Sequence, residues 1–457
     1  MAESRVVPPL SFVGYYLLMS FTPVPATVLS FEHARRTVEE QAALIQAGEA
    51  ESIGLLEAAG RVLAEPVVAD RDLPPFPRST RDGYAVRPVD VAKVPATLDV
   101  IGEIKAGEKL ERIPSIGKGQ AASIMTGAPV PDGADAVVMV EYTAQHGTRV
   151  EITRGVTAGE NIVPRGAEAR EGAPLINRGV RLNEASIALA ASAGKSRLLV
   201  HKRPRVAVLT TGDEIVAVET IPGPTQIRNS NSYSLAVQIR QAGAEPMLLP
   251  IAPDEKQGLR SLIEEGLKAD LLLLTGGVSM GRYDLVEQVL AEMQAEFFFT
   301  GARIQPGRPV VFGKCGEAKC DEGKGAEGKC GAGTPARNGA SAPRLCTYFF
   351  GLPGNPVSTM VTFELFVRPM LEALAGMSAR KLLFTHAKLK SEIHVKPGLK
   401  RFLPAILSGE FEDSEVGLVP WQGSGDIAAT ARANCYIVVP SDRDQIPAGE
   451  FVAVLMR

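Results

Sequence analysis

Four consecutive leucines, Leu271 to Leu274, form the longest uniformly branched apolar run in the second half of the chain. Such a run predicts a strand buried on both faces, as in a parallel sheet. Thr275, Gly276 and Gly277 end it abruptly, and from Asp284 a new pattern begins in which Leu285, Val286, Val289, Leu290 and Met293 recur at helical spacing. The stretch therefore reads as strand, glycine turn, helix. The same grammar surrounds it. Strands are expected at 206–209, 246–251, 309–313 and 348–350, with helices at 229–242, 255–267 and 357–374. Strands alternating with helices imply a parallel sheet with right-handed crossovers, whose ligands sit beyond the strand C-termini.

The flanking regions follow other rules. Residues 30–64 read as a helix capped by Ser30, followed by a second short helix at 55–63. Residues 96–180 alternate short apolar runs with Gly and Pro turns, which predicts a small β-rich module, and a helix at 184–193 is closed by Gly194. Residues 385–457 again read as short strands. The expected fold is thus multidomain α/β and β. A central parallel-sheet α/β domain occupies 201–376. It follows an N-terminal region at 29–200, partly helical and partly extended, with the β-rich module inserted at about 90–180, and it precedes a small C-terminal β domain at 385–457. Residues 1–28 read as a disordered extension, and the apolar part of it, 10–21, is too short to span a membrane. Residues 314–345 are low-complexity and read as a flexible insertion between two strands.

Composition narrows the class. Hydrophobic residues make up 45% and charged residues 22%, as expected of a soluble globular protein. A net charge of −3 without a basic patch argues against nucleic acid as a partner. The five cysteines make no disulfide framework and lack CxxC spacing, which points to a reducing cytoplasm and against a zinc site.

The candidate chemistry lies in irregular, glycine-bearing turns. Thr210-Thr-Gly-Asp-Glu214, Thr275 to Asp284 and Gly351-Leu-Pro-Gly-Asn-Pro356 all fall at expected strand C-termini, and the first two bring carboxylates. Glycine turns let backbone N–H groups approach an anion closely, and helix N-termini favour negative charge. The 275–284 turn lacks the spacing of a nucleotide P-loop and of GxGxxG. Two further loops are candidates: residues 69–86, too rich in Pro and Asp for a helix or central strand, and Trp421-Gln-Gly-Ser-Gly-Asp426.

Taken in order, these pieces resemble the molybdopterin molybdenumtransferase family, which includes bacterial MoeA and the E domain of gephyrin. The resemblance runs from about Leu29 to the C-terminus. It rests on Ser79-Thr-Arg-Asp-Gly-Tyr-Ala, Ile124-Met-Thr-Gly-Ala-Pro-Val-Pro, Gly133-Ala-Asp-Ala-Val-Val, Thr211-Gly-Asp-Glu, Thr275-Gly-Gly-Val-Ser-Met-Gly, Pro306-Gly-Arg-Pro, Gly351-Leu-Pro-Gly-Asn-Pro and Gln422-Gly-Ser-Gly.

The resemblance implies a homodimer that inserts molybdate into adenylylated molybdopterin with Mg2+, releasing AMP. It also implies the molybdopterin adenylyltransferase and apo-molybdoenzymes as partners. On the matching positions it implies Asp82, Glu168, Asp284 and Ser424 as catalytic. It implies Thr211, Gly212, Gly276, Gly277, Ser279, Arg303, Arg308, Pro353, Gly354 and Asn355 as substrate-binding, and Asp213, Glu214 and Asp254 as metal-binding carboxylates, the oxygen ligands Mg2+ prefers.

Three positions depart from the pattern. Gln305 and Gly301 stand where the family often carries lysine, and Glu168 stands where it more usually shows Asp. Arg303 and Arg308 are expected to supply the missing charge. The competing reading is a non-catalytic molybdopterin-binding or scaffold protein on the same fold. The choice between molybdate and tungstate is not written in these residues.

Overall fold

The computed structural model describes residues 27–276, 285–316, 346–378 and 380–457. Two compact units share them. One comprises Met1–Leu44, Pro204–Leu371 and Arg380–Arg457, the other Ile45–Arg203 and Glu372–Ala379.

The first unit contains a six-stranded sheet. In spatial order its strands are Glu245–Leu248, Arg205–Thr210, Leu271–Thr275, Thr347–Leu352, Val311–Cys315 and Glu296–Phe299. The first four run parallel. Leu271–Thr275 lies inside the sheet with every residue buried, as its leucine run demands. Val311–Cys315 runs antiparallel to both Thr347–Leu352 and Glu296–Phe299, so one strand is reversed within the expected parallel-sheet domain. The physical reason is the connection at 316–346. Cys315 pairs with Thr347 in the ladder, so the strands on either side of that connection are antiparallel neighbours. Most of the low-complexity insertion, 317–345, lies outside the described residues. Glu296–Phe299, an additional edge strand, had no distinctive pattern because Phe297, Phe298 and Phe299 do not alternate.

Helices Asn231–Gln241, Lys256–Gly266, Leu285–Glu292 and Pro356–Thr362 flank the sheet. The Glu255 carboxylate caps the second of these by accepting from the N–H groups of Gln257 and Gly258. Leu259, Ile263, Val286, Val289 and Leu290 pack against Leu272 and Leu274 in a single core.

The C-terminal part of this unit is a closed five-stranded barrel. Lys400–Ser408, Glu415–Leu418, Phe384–Leu389, Phe451–Met456 and Cys435–Val439 pair in turn, and the last pairs back with the first. Closure removes the sheet edges that would otherwise remain unpaired. The short strand Ile304–Gln305 adds to Lys400–Ser408 in parallel. At the start of the chain, Val28–Leu29 pairs with Gly301–Ala302, and helix Phe31–Ala43 follows, with Ser30 accepting from His33 N–H.

The second unit carries a six-stranded mixed sheet in the order Ala136–Met139, Gly83–Val86, Gln120–Ile124, Ala96–Ile104, Arg149–Ile152 and Thr143–His146. This is the expected β-rich module. The expected helix at 55–63 does not form. Residues 55–60 are turns, and the preceding Ala50–Gly54 is a strand antiparallel to Arg197–His201. Ala58, Leu63, Leu198 and Val200 share one core there, so tertiary pairing overrides a local pattern that suits a helix equally well. Among the described residues no helix is long and apolar enough to cross a membrane.

Candidate functional site

The C-terminal ends of the parallel strands in the first unit open on a cavity of about 610 Å³. Glycine is required at its floor. Gly276 adopts φ +87°, and a Cβ there would stand 2.2 Å from Thr211 O. A Cβ on Gly354 would come within 3.6 Å of the Gly276 Cα, so two turns approach each other backbone to backbone. A buried polar network fixes this approach. Asn231 Nδ2 donates to Thr275 Oγ1 at 2.9 Å and to Gly354 O at 2.7 Å. Thr275 Oγ1 donates in turn to Pro353 O at 3.3 Å. Gly354 O can only accept, which sets the Asn231 amide with its nitrogen towards the turn. Among the described residues Asn231 Oδ1 and Thr211 Oγ1 are buried without a hydrogen-bond partner, and both residues line the cavity.

Eight of the expected site residues line this cavity together: Thr211, Glu214, Gly276, Arg308, Pro353, Gly354, Asn355 and Ser424. Gly212 lies beside them in the same turn at φ +133° but does not line it. Arg303 is exposed and also lies outside the lining. A side chain at Gly301 would be crowded, since a Cβ would stand 3.1 Å from Val28 Cγ2 and 3.3 Å from Arg308 O. Gly277, Ser279 and Asp284 lie outside the described residues.

The three expected metal carboxylates take different places. Asp213 N–H donates to Asp254 Oδ2 at 3.4 Å and Asp254 N–H to Asp213 Oδ1 at 3.2 Å, so those two turns are locked to each other. Glu214 alone of the three carboxylates lines the cavity. Among the described residues no group of three or more His, Cys, Asp or Glu side chains is arranged to hold a metal ion.

The barrel contributes the loop at 421–426. Asp426 shapes it twice over, accepting from Gln422 N–H at 3.0 Å and capping helix Ile427–Arg432 through Ala429 N–H at 2.9 Å. These backbone donors hold its carboxyl below the usual range. Ser424, carried on this loop, accepts from Asn355 Nδ2 at 2.8 Å, and Ser424 O accepts from Val357 N–H. Asn355 begins helix Pro356–Thr362 without a side-chain cap, and its amide nitrogen donates to Ser424. The Ser424 hydroxyl proton is therefore available to a ligand.

Asp82 and Glu168 belong to the second unit. Asp82 Oδ1 accepts from both Thr126 N–H at 2.6 Å and Thr126 Oγ1 at 2.8 Å. These two bonds, the backbone one first, hold its carboxyl below the usual carboxylate range, so at neutral pH it accepts protons and hydrogen bonds rather than donating them. Glu168 pairs with Arg78 at 2.8 Å on an exposed surface.

Sequence reasoning assigned no role to Asn231, whose amide acts on Thr275 and Gly354 only after folding brings them close, and it named Thr275, Trp421 and Asp426 only as members of candidate turns. Trp421 packs against the barrel core while lining the cavity.

Comparison with known proteins agrees with this geometry. Residues 29–194 match a family model described as the MoeA N-terminal region, domains I and II. Residues 207–373 match a probable molybdopterin binding domain, and 386–456 the MoeA C-terminal region, domain IV. The chain is 34% identical over 416 residues to a molybdopterin molybdenumtransferase from a Nostoc species, covering 89% of this chain and 88% of that protein. It is 30% identical over 452 residues to one from Bacillus subtilis, covering 96% and 95%. A crystal structure of the molybdopterin biosynthesis MoeA protein from Pyrococcus horikoshii superposes with a TM-score of 0.71 at 25% identity, covering 94% of this chain and 100% of that one.

Proposed function

The chain belongs to the MoeA family, and on that premise we propose that it is a molybdopterin molybdenumtransferase, inserting molybdate into adenylylated molybdopterin with release of AMP. The observation that carries the reading is the cavity at the strand C-termini, where two glycine turns, Arg308 and Ser424 converge.

Each part suits an oxyanionic substrate. The bare backbones of Gly276 and Gly354 allow a phosphate or pterin edge to approach closely. The Arg308 guanidinium makes no ion pair with described residues, and its planar fork matches phosphate or molybdate oxygens. Ser424, oriented by Asn355, donates a hydrogen bond to an oxygen of the bound anion, and the two protons that leave with an oxo group as water come from the two dithiolene thiols of the substrate. Asp82, ionised at neutral pH, serves as the accepting carboxylate, and Glu168 is its proposed companion.

Mg2+ takes one or two carboxylates and completes its shell with water and substrate phosphates, so the absence of a three-carboxylate cage among the described residues does not conflict with it. Glu214 is the lining carboxylate that would hold it, with Asp213 and Asp254 behind in the locked turns. The ion would neutralise charge on the substrate phosphates. We further infer a cytoplasmic homodimer that receives its substrate from the molybdopterin adenylyltransferase and serves apo-molybdoenzymes.

The test is reconstitution of an apo-molybdoenzyme with purified protein, adenylylated molybdopterin, Mg2+ and either molybdate or tungstate. Oxyanion-dependent AMP release and enzyme activity are expected, lowered at least tenfold in Ser424→Ala and abolished by removing the divalent ion. Tight pterin binding without AMP release would instead identify a scaffold protein.

A further inference from the structure

The cavity at the strand C-termini, about 610 Å³, is far larger than a tetrahedral anion fills, and its walls are partly apolar. Ile215, Ile227, Ile304 and Leu399 line it, and so does Trp421. Burying an anion against such walls removes its water and offers no partner, whereas a flat organic ring gains from them. Trp421 is the one tryptophan of the chain and, among the described residues, the one aromatic side chain lining the cavity.

Its setting leaves that ring available. Trp421 is half-buried and packs against two parts of the barrel core, one containing Leu403 and Ile437, the other Val419 and Ala429. Packing of this kind holds a side chain in place before a ligand arrives. Among the described residues no aromatic ring or cation stacks on it, and none accepts from its indole N–H. A large π-face that ends in a cavity without a ring partner is a platform for another flat ring.

A second observation narrows the ligand's chemistry. Asn231 Oδ1 is buried, belongs to a residue of the same lining and has no described partner. An amide oxygen only accepts hydrogen bonds. An oxyanion also only accepts, so it cannot satisfy this atom, but an amino group on a ring can. The two features lie a short way apart along the site. Asn231 donates to Gly354 O, and the next residue, Asn355, donates to Ser424, on the same loop as Trp421.

We propose that Trp421 is a specificity-determining residue of the cavity, whose indole stacks on a planar, amino-bearing nitrogen heterocycle. The inference deepens the proposed function and rests on it for the source of the ring. Adenylylated molybdopterin carries two rings of this chemistry, the adenine and the pterin.

The experiment uses the full chain, whose single tryptophan makes its emission a report on this position alone. The probes are adenosine and tetrahydrobiopterin, rings without phosphate, each titrated separately by fluorescence and by calorimetry, with inorganic phosphate as control. Saturable quenching by at least one ring and none by phosphate is expected. Trp421→Leu is expected to weaken that ring roughly tenfold, the scale of one lost base–aromatic stack, and to raise the KM for adenylylated molybdopterin while kcat holds. Trp421→Phe keeps a smaller aromatic face and is expected to fall between. Phe411→Ala, a barrel position 93% exposed, is expected to leave binding unchanged. The ring whose affinity falls identifies the source.

Wild-type affinity for both rings in Trp421→Leu overturns the proposal, as does failure of the wild-type protein to bind either. Should Trp421→Leu not fold, Trp421→Phe decides: a weakening of roughly threefold is expected, and wild-type affinity overturns the proposal. Ring binding that depends on Trp421 in a protein that inserts no molybdate leaves the inference standing and removes the proposed function. Molybdate insertion with an unchanged KM for adenylylated molybdopterin in Trp421→Leu does the reverse.

Discussion

Asp82 shows how one residue ties stability, pH and chemistry together. Two hydrogen bonds from Thr126 stabilise its charged form and depress its pKa below 3.8. A carboxyl whose folded pKa is depressed stabilises the fold above its unfolded pKa, and that contribution is lost as pH falls through the folded value. Asp82→Asn keeps an accepting oxygen and loses the charge. It is therefore expected to melt below wild type at pH 7, with the gap closing as pH falls below about 4, the ordinary Asp range. Thermal scans across that interval check it, and the same variant should insert molybdate roughly 100-fold more slowly, the low end of what a positioned proton acceptor contributes. A gap that stays constant with pH would show that the charge is not what Thr126 recognises. At this scale the sequence was partly legible. Residues whose neighbours in the chain explain them, such as Gly276 in its turn, could be read directly. Arg303 and Arg308, both exposed, could not be told apart by charge, since only the fold brings the second to the cavity lining.

Elements repeat that division. The Leu271–Thr275 strand and the Lys256–Gly266 helix were legible because burial on both faces, or on one stripe, leaves an unambiguous period. The antiparallel return of Val311–Cys315 was not, because a long intervening segment hid a hairpin. Asn231 and Asn355 were equally hidden as scaffolding: their amides grip Gly354 and Ser424, far along the chain. The hairpin makes a prediction of its own. Since Cys315 and Thr347 already pair, replacing residues 317–345 with Asn-Gly leaves a four-residue connection that closes without strain. That is about three halvings of loop length at about 0.6 kcal/mol each, so urea unfolding should show a gain of about 1–2 kcal/mol at unchanged insertion activity. A loss of stability, or zinc bound stoichiometrically by the intact protein through Cys320 and Cys330, would show that the insertion is more than a connection.

Across the first unit as a whole, the start of the chain joins parts that are distant in sequence. Val28–Leu29 pairs with Gly301–Ala302, immediately before the strand that carries Gln305. Phe31 packs against Phe366 of the α/β part at 6.1 Å and against Phe402 of the barrel at 5.5 Å. Arg35 donates to Leu365 O, and Glu32 pairs with Lys400, next to Arg401. Ala34 and Val38 are wholly buried. Two truncations separate this structural role from whatever precedes it. A chain starting at Thr27 retains every one of these contacts and is expected to melt and insert molybdate like the full-length protein. A chain starting at Ile45 loses them. Burying one large apolar side chain contributes about 1.5–3 kcal/mol, and Leu29, Phe31 and Val38 are lost together, so the melting temperature should fall by several degrees or more. The loss should also reach the cavity. Without Val28–Leu29, the Gly301–Ala302 strand becomes an exposed edge, and the adjoining Gln305 rim loses its support on one side. The molybdate KM should then rise more than kcat falls, because Gln305, Pro306 and Arg308 line the cavity on that side while Ser424 and Asn355 keep their mutual hydrogen bond. Equal damage to both constants would place the effect in general unfolding, and an unchanged KM would show that the barrel and the α/β part hold the rim without the N-terminal helix.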